Sequence, residues 1–299
     1  MRIGIDLGGT KIEGIILNND GEIQHKIRLD TPVGDYGEVV ESVCQITKKL
    51  QGDCNMTVGI GTPGVLDAQT SLMKNSNSLC IDGKPFKRDV ESRLGYEIKV
   101  ENDANCFVLS EALLGAGKDA KCVFGIVLGT GCGGGLVISK KLINGPNGIA
   151  GEWGHNCIPT SVRKLIKRDR TCDCGRVNCI ETVLSGRGLR TTFAERFGYE
   201  LEAEAIAAQA RLRNEEAKSC IDIYASQLAL CLSTIINILD PDMIIFGGGL
   251  SNIKSLYQLV PDYLCGLVFS DSVKTKIVPA SYGDASGARG AACLWSAED

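Results

Sequence analysis

The sequence predicts an α/β protein of two domains, each built on a sheet that is rich in β-hairpins. The chain has 299 residues, and single hydrophobic cores usually stop growing at about 250–300 residues. Short apolar strands alternate along the chain with stretches of helical periodicity. A unit of strand, glycine turn, strand, hairpin and strand occurs near residue 8 and again near residue 129. These observations together favour two related halves.

The first half begins with this unit and continues into helices and buried strands. Residues 2–6 lead into a glycine turn at 7–10, and Asn19-Asp20-Gly21 is typical of a hairpin turn. Further strands are predicted at 12–18, 22–29, 58–61 and 96–101, and helices at 36–50 and 104–116. The glycines at 115 and 117 indicate the end of the second helix and a domain boundary.

The second half repeats the opening pattern. Its predicted elements are strands at 122–128, 134–138 and 142–143, a glycine turn at 129–131 and a hairpin turn at 139–141. Beyond residue 180 the pattern is mostly helical, with an apolar helix at 220–239, a strand at 243–246 and a helical tail at 286–297. Two unrelated tight turns are the alternative to a duplication, but the matching hairpins favour duplication. Two such halves would face one another across a cleft.

The repeat suggests where the two domains divide. We expect a small N-terminal domain over residues 1–118 and a larger C-terminal domain over residues 119–285. The last helix, at about 286–299, is expected to pack back onto the first domain.

Composition and charge exclude several classes of function. The chain is 44% hydrophobic and 23% charged with a net charge of −4, which is typical of a globular protein and unlike a nucleic-acid-binding one. The one basic run, residues 163–170, is interpreted as a solvated loop. The N-terminus begins as a strand rather than a signal peptide, and no continuous apolar run reaches about 18 residues. We therefore expect a cytoplasmic protein with neither nucleic-acid nor membrane partners.

The glycine turns are candidate phosphate-binding sites, because backbone N–H groups without side chains can approach an anion closely. The candidate residues are Gly8, Gly9, Thr10 and Lys11 in the first turn, Thr130 and Gly131 in the second, and Gly248 in a third turn at 247–249. None of these turns matches a Walker loop or a dinucleotide-binding fingerprint. Asp6, beside the first turn, is suited to holding Mg²⁺ through water, or alternatively to capping the turn.

The segment Glu101-Asn102-Asp103-Ala104-Asn105 lies at a predicted junction between a strand and a helix. Asn or Asp at such a junction often caps the helix. The functional alternative is that Asp103 accepts the proton of a substrate hydroxyl while Asn102 binds the neighbouring hydroxyl. Phosphoryl transfer requires an aligned nucleophile, a positioned base and neutralised phosphate charge, which these residue types can supply.

A cysteine cluster predicts one structural zinc site. The chain has fourteen cysteines, and most lie singly in apolar stretches typical of free buried thiols. Cys172, Cys174 and Cys179, with the preceding His155, make a Cys3His set for tetrahedral Zn²⁺ with no open position. Free thiols are the alternative. A zinc ion there would hold the loop that carries Glu152 and Glu181.

Together these motifs resemble the bacterial ROK family of sugar kinases over essentially the whole chain. The resemblance is carried by residues 6–11, 101–105, 128–131, 151–155 and 172–181. It implies the two-domain fold of the actin-like ATPases and hexokinases, with ATP and Mg²⁺ as cofactors. It also suggests a homodimer.

The resemblance implies a role for each matching residue. Asp103 matches the catalytic base, and Asn102, Glu152, His155 and Glu181 match residues that bind sugar hydroxyls. The matching histidine both ligates zinc and faces the sugar. The expected walls of the sugar pocket are Gly64, Val65 and Asn77. Thr10, Thr130 and Gly131 match phosphate contacts, and Gly248 matches a contact on the adenosine side.

Within the family, residues 145–156 and 283–292 most resemble the fructokinase (manno-fructokinase) branch. We therefore expect transfer of phosphate to the 6-hydroxyl of a free hexose, above all fructose, with mannose or glucose also possible substrates. N-acetylglucosamine or N-acetylmannosamine kinase is the alternative, because those kinases share residues 180–181 and 184–188. A sugar-responsive regulator is disfavoured because the first glycine turn, at residue 7, leaves no room for a preceding helix-turn-helix. A catalytically inactive sugar-binding protein is disfavoured because Asp103 and the phosphate turns are present.

Overall fold

The structure, a computed structural model, describes residues 1–76 and 80–296, with the side chain of Asp284 excepted. Asn77, an expected wall of the sugar pocket, lies outside the described residues. The strands are β1 (Arg2–Leu7), β2 (Lys11–Leu17), β3 (Ile23–Asp30), β4 (Thr57–Thr62), β5 (Val65–Leu66), β6 (Met73–Lys74), β7 (Lys99–Asn102), β8 (Cys122–Leu128), β9 (Cys132–Ile138), β10 (Lys141–Leu142), β11 (Met243–Gly247) and β12 (Lys276–Pro279). The α-helices are α1 (Tyr36–Gln51), α2 (Phe86–Leu94), α3 (Asp103–Leu113), α4 (Thr160–Arg163), α5 (Glu181–Leu184), α6 (Gly186–Phe197), α7 (Ala203–Arg211), α8 (Glu215–Leu239), α9 (Leu256–Leu264) and α10 (Ser286–Ala292). Short 3₁₀ helices cover Trp153–His155, Gly249–Asn252 and Gly283–Ala285.

Two sheets of five strands have the same topology. The first has the order β3-β2-β1-β4-β7 and the second β10-β9-β8-β11-β12. In the first sheet, β1 and β2 pair antiparallel, as do β2 and β3, whereas β4 lies parallel to both β1 and β7. In the second, β10 pairs antiparallel with β9, and β11 lies parallel to both β8 and β12. The matching order confirms the duplicated, hairpin-rich α/β architecture.

The chain divides into two compact units. Unit 1 comprises Met1–Lys118, Gly135–Ala150 and Tyr282–Asp299, and unit 2 comprises Asp119–Gly134 and Gly151–Ser281. Residues 135–150 thus group with unit 1. The division into domains at 118 and 285 stays a prediction.

The core of unit 1 lies on both faces of its sheet. Helix α1 has the amphipathic pattern expected over 36–50, and its buried side chains include Val39, Val43 and Ile46. Helix α10 packs so closely on the sheet that a Cβ added to Gly4 or Gly59 would overlap a carbonyl oxygen of α10. Absence of a side chain at these two positions therefore permits the close approach of helix to strand.

The core of unit 2 is built around α8. Its buried residues include Tyr224, whose hydroxyl donates a hydrogen bond of 2.8 Å to the carbonyl of Leu184. As the apolar pattern at 220–239 predicts, α8 is a long apolar helix, and by length and composition alone it could cross a membrane. Because 61% of its apolar window is buried within the protein, this is weak evidence, and a core helix passes the same test.

Among the predicted boundaries that were wrong, three differ by three to five residues for a reason that the structure shows. Strand β7 begins at Lys99 rather than 96, because residues 95–98 complete the turn after α2. Helix α3 ends at Leu113, since the N–H groups of both Gly115 and Gly117 bond to the carbonyl of Glu111 in a glycine-rich turn. Helix α10 ends at Ala292, and the chain then turns so that the Trp295 indole donates a 2.7 Å hydrogen bond to the carbonyl of Val58.

Candidate functional site

The first glycine turn joins β1 to β2 in unit 1. The N–H of Gly8 donates a 2.9 Å hydrogen bond to the carbonyl of Lys11, which closes the turn. The hydroxyl of Thr31 donates to the carbonyl of Gly8 at 2.7 Å and ties the turn to the residue after β3. Gly9, Thr10 and Lys11 are exposed. The turn is thus anchored from within while its tip faces solvent, as a phosphate-binding turn requires.

Asp6 lies beside this turn, half-buried near the end of β1. A Cβ added to Gly287, in the first turn of α10, would lie 2.6 Å from the Asp6 Oδ2 atom. The carboxylate therefore sits between the glycine turn and the start of α10. A carboxylate placed this way can hold Mg²⁺ through water molecules, since Mg²⁺ retains several of its waters in proteins.

Asn102 and Asp103 lie at the junction of β7 and α3. The Asn102 side chain caps α3, because its Oδ1 accepts hydrogen bonds from the N–H groups of Ala104 and Asn105 at 3.0 and 3.3 Å. Its amide nitrogen donates to the carbonyl of Gly64 at 3.2 Å. Asp103 is exposed at the first helical position, and its Oδ1 accepts the N–H of Ala104 at 2.8 Å. Asn102 therefore caps α3, and the cap presents the Asp103 carboxylate at the surface.

Gly64 and Val65 lie next to that cap. Gly64 has φ +80°, and a Cβ there would come within 2.5 Å of the Lys74 carbonyl oxygen, so both conformation and space require glycine. Val65 opens β5 and is 5% exposed, which limits the surface it can offer to a ligand. The hydrogen bond from Asn102 to Gly64 places Gly64 and the adjacent Val65, two predicted walls of the sugar pocket, beside the junction of β7 and α3.

The second glycine turn joins β8 to β9 in unit 2. The N–H of Gly129 bonds to the carbonyl of Gly131 at 3.0 Å, and the N–H of Gly186 bonds to the carbonyl of Gly129 at 2.7 Å. The Glu181 Oε2 atom accepts the N–H of Cys132 at 2.9 Å. A Cβ added to Gly131 would lie 2.7 Å from that same oxygen. Glu181 therefore supports the turn directly.

Gly248 lies after β11, against the strand that leads into the second turn. It has φ +78°, and a Cβ there would lie 2.5 Å from the carbonyl oxygen of Leu128. Since β11 and β8 are parallel neighbours, their carboxyl ends meet at one edge of the sheet. This places the third glycine turn beside the second.

A cavity of about 500 Å³ opens at that edge of unit 2. Gly129 and Thr130 of the second turn and Gly249 of the third contribute to its lining. The remaining lining comes from the starts of α6 and α7 and the end of α7, together with the 3₁₀ helix after β11: Gly186, Arg187, Arg190, Glu202, Ala203, Glu204, Ala207, Arg211, Leu250, Asn252 and Ile253. Its size and its glycine turns suit a nucleoside polyphosphate. Sequence reasoning identified the turns but missed the helical walls, which carry no phosphate-binding motif.

Glu152 and His155 frame the 3₁₀ helix Trp153–His155. The Trp153 indole is buried and donates to the carbonyl of Gly133 at 3.1 Å, which fixes this helix against β9. Burial raises the pKa of the half-buried Glu152 carboxyl, while nearby His155 opposes the shift and Glu181 adds to it. His155 and Glu181 therefore lie close enough for their charges to act on the Glu152 carboxyl.

The predicted zinc ligands come together in unit 2. One ligand atom from each of His155, Cys172, Cys174 and Cys179 lies within 4.8 Å of the others. The His155 Nδ1 and Cys172 Sγ atoms are 3.6 Å apart, as are the Sγ atoms of Cys174 and Cys179. Three sulfurs and one imidazole nitrogen at this spacing fit tetrahedral Zn²⁺.

A tight turn that contains the first two cysteines shapes this cluster. The N–H of Gly175, at φ +82°, bonds to the carbonyl of Cys172 at 2.9 Å, and the N–H of Cys172 bonds to the carbonyl of Arg176 at 2.8 Å. Hydrogen bonding from the Arg176 backbone lowers the pKa of the Cys174 thiol to about 6. A thiolate is the form that binds metal. The turn therefore favours the thiolate at Cys174, whereas burial raises the pKa of the Cys172 and Cys179 thiols.

The predicted site residues thus form two groups. Unit 1 carries Asp6, the first glycine turn and the Asn102–Asp103 junction with Gly64 and Val65. Unit 2 carries the second and third glycine turns, the Glu152 to His155 segment, Glu181 and the cysteine cluster.

Comparison with known proteins identifies the family. Residues 2–298 match the sequence profile of the ROK family. The chain belongs to the ROK family of sugar kinases. An N-acetyl-D-glucosamine kinase of Pasteurella multocida is 37% identical over 99% of both chains, and one of Photobacterium profundum is 38% identical over 98% of this chain and 99% of its own. The crystal structure of a ROK family glucokinase from Streptomyces griseus with glucose and AMPPNP has a TM-score of 0.81, 27% identity, and coverage of 98% of each chain.

These relatives confirm part of the sequence interpretation and correct another part. As a ROK sugar kinase the chain is an ATP-dependent phosphotransferase with the actin-like fold. The expectation of fructose as the substrate was wrong, since these full-length relatives are N-acetyl-D-glucosamine kinases. Residues 145–156 and 283–292, which carried the fructokinase resemblance, do not by themselves determine the shape of the sugar pocket. Discrimination of an N-acetyl group depends instead on local pocket volume and a few hydrogen bonds.

Proposed function

We propose that this ROK protein is an N-acetylglucosamine kinase that transfers the γ-phosphoryl group of MgATP to the 6-hydroxyl of the sugar. The observation that supports it is the 37% and 38% identity to N-acetyl-D-glucosamine kinases over nearly the full length of both chains. The cytoplasmic location and the homodimer stay predictions.

Asp103 is the proposed catalytic base. Its carboxylate is exposed at the first position of α3, and the Asn102 cap holds the backbone around it. In the reaction the 6-hydroxyl oxygen forms a bond to the γ-phosphorus as the bond to the bridging oxygen of ADP breaks. Asp103 accepts the hydroxyl proton, which aligns the nucleophile and prevents a protonated product oxygen from building up positive charge.

Asn102, Glu152, His155 and Glu181 are the proposed ligands of the sugar hydroxyls. Because the Nδ1 atom of His155 faces Cys172 Sγ at 3.6 Å, its Nε2 is the ring nitrogen available for a hydroxyl. Glu152 and Glu181 provide acceptors that suit the many O–H donors of a sugar. The walls proposed for the ring are Gly64 and Val65, with Asn77 from the sequence prediction alone.

The glycine turns are the proposed phosphate sites. Thr130 and Gly131, beside the 500 Å³ cavity, and Gly248 would bind the nucleotide in unit 2. Gly8, Gly9, Thr10 and Lys11 would contact phosphate from unit 1, and Asp6 would hold Mg²⁺ through water. These groups neutralise charge on the transferring phosphoryl group, which supplies most of the catalysis in such reactions.

One structural zinc ion is proposed for the four-residue cluster, where it would lock the loop that bears His155 and precedes Glu181. With all four positions taken by protein ligands, the metal would act through structure alone. His155 and Glu181 then keep fixed orientations for the sugar.

The test is a coupled assay of ADP release with N-acetylglucosamine, N-acetylmannosamine, glucose, mannose and fructose. We expect the highest kcat/KM on N-acetylglucosamine. The D103N variant should bind the sugar as the wild type does but lose at least about a hundredfold in kcat, since general base catalysis contributes about 10²–10⁴-fold. Preference for another sugar would overturn the substrate, comparable kcat in D103N would overturn the base, and binding without turnover in the wild type would indicate a sensor.

A further inference from the structure

Arg187 stands out among the charged residues that line the 500 Å³ cavity. It follows Gly186, whose N–H bonds at 2.7 Å to the carbonyl of Gly129 in the second glycine turn. The cavity wall thus passes from Gly129 and Thr130 directly to Arg187. A guanidinium group at this position adjoins the place where a glycine turn receives phosphate.

Asp173 holds the Arg187 side chain. Its two carboxylate oxygens accept hydrogen bonds from Arg187 Nη2 at 2.5 Å and Nη1 at 3.3 Å. Asp173 lies between Cys172 and Cys174, two of the proposed zinc ligands, in the tight turn of residues 172–176, which we call the metal-binding turn. A guanidinium carries five N–H donors, so the two used here leave the Nε–H and the outer Nη hydrogens for a second anion.

The other cavity arginines are placed differently. Arg190 donates to the Glu202 carboxylate at 2.9 Å, and both residues line the cavity. Arg211 is the last residue of α7, and it neither belongs to the second glycine turn nor adjoins it in sequence. Among these three arginines, Arg187 is therefore the one that directly follows Gly186, the residue whose N–H bonds to the second glycine turn.

We propose that Arg187 binds the polyphosphate of the nucleotide and that Asp173, in the metal-binding turn, is the residue that positions it. Arg187 supplies charge-assisted hydrogen bonds to phosphate oxygens beside Thr130. Asp173 restricts the long side chain to one orientation, so less conformational freedom is lost when the nucleotide binds. This inference rests on the proposed kinase function and extends it to nucleotide recognition.

Calorimetric binding of ADP and of adenosine separates a phosphate contact from a general effect on the cavity. The R187Q variant should bind ADP about tenfold to a hundredfold more weakly, as expected for lost hydrogen bonds to a charged group. Its adenosine affinity should stay within about twofold, which also shows that the variant is folded. The KM for ATP should rise while the KM for the sugar does not. The control is R168Q, because Arg168 is an exposed arginine that pairs with Glu195 at 3.1 Å and does not line this cavity.

Asp173 is tested by a double-mutant cycle. D173N should weaken ADP binding less than R187Q does, and the D173N/R187Q double variant should be no weaker than R187Q. Equal losses of adenosine and ADP affinity in R187Q, or no loss of ADP affinity, would overturn the phosphate contact. Additive losses in the cycle would overturn the positioning role. A wild type that binds ADP without phosphorylating N-acetylglucosamine would refute the proposed function alone.

Discussion

Glu181 offers a direct test of how the cysteine cluster and the second glycine turn are connected. One carboxylate oxygen accepts the N–H of Cys132 at 2.9 Å, and the other lies 3.7 Å from the Cys172 sulfur. Glu181 is also a proposed sugar ligand. Replacing it by alanine removes both functions, whereas glutamine keeps an oxygen acceptor for the Cys132 N–H and removes the negative charge.

The expected effect on the turn follows from the burial of Cys132, which is 4% exposed. In E181A its N–H loses its acceptor, and an unsatisfied buried donor costs about 1–3 kcal/mol. If the second glycine turn changes conformation so that the Cys132 N–H finds another acceptor, part of the nucleotide's binding free energy must return the turn to its original conformation. ADP binding should then weaken by about 5- to 150-fold, since about 1.4 kcal/mol corresponds to a factor of ten.

The assay is calorimetric ADP binding with E181A and E181Q, together with the KM for sugar and for ATP. We expect E181A to lose affinity for ADP and sugar, and E181Q to keep most of its ADP affinity while its KM for sugar rises. Metal content should be measured in both variants. Wild-type ADP affinity in E181A would refute the argument that Glu181 supports the turn.

Three further predictions concern the metal, the pH dependence and the packing of the 3₁₀ helix. Metal analysis should find about one zinc per chain, and C174S should lose the metal with a lower Tm; a metal-free, fully active protein would contradict this. Burial raises the pKa of the Glu152 carboxyl above its ordinary 4.5, so the native state binds more protons than the unfolded state does. The free energy of unfolding therefore falls as the pH rises from the ordinary pKa of this carboxyl through its raised pKa. E152Q should therefore raise the Tm at pH 7 but not at pH 4, measured by calorimetry, and equal Tm values at pH 7 would be the contrary result. A Cβ at Gly154 would overlap the carbonyl oxygen of Cys132, so G154A should lower the free energy of unfolding by about 1–3 kcal/mol in urea titrations, and an unchanged midpoint would contradict it.

Much of the architecture was predictable from local patterns. The Gly8 and Gly129 turns, each followed by a hairpin, predicted a duplication that the two sheets share strand for strand. Element ends were less predictable, because Glu111 and Trp295 end or redirect helices through contacts that have no local signature.

The sequence alone identified the candidate catalytic, phosphate-binding and metal-binding residues, and it identified the family of the chain. The cysteine spacing, the glycine turns and the junction before Asp103 are each contained in a short segment of sequence. Their chemistry can therefore be predicted without knowledge of the fold. Only the tertiary structure brought Glu181 to the N–H of Cys132 and formed the cavity proposed for the nucleotide from three separate parts of unit 2. Such contacts join residues far apart along the chain, and they depend on how helices pack against the sheet. The prediction of fructose was wrong for the same reason, because substrate choice also depends on tertiary contacts. Family motifs identify the reaction, whereas a few packed side chains select the substrate.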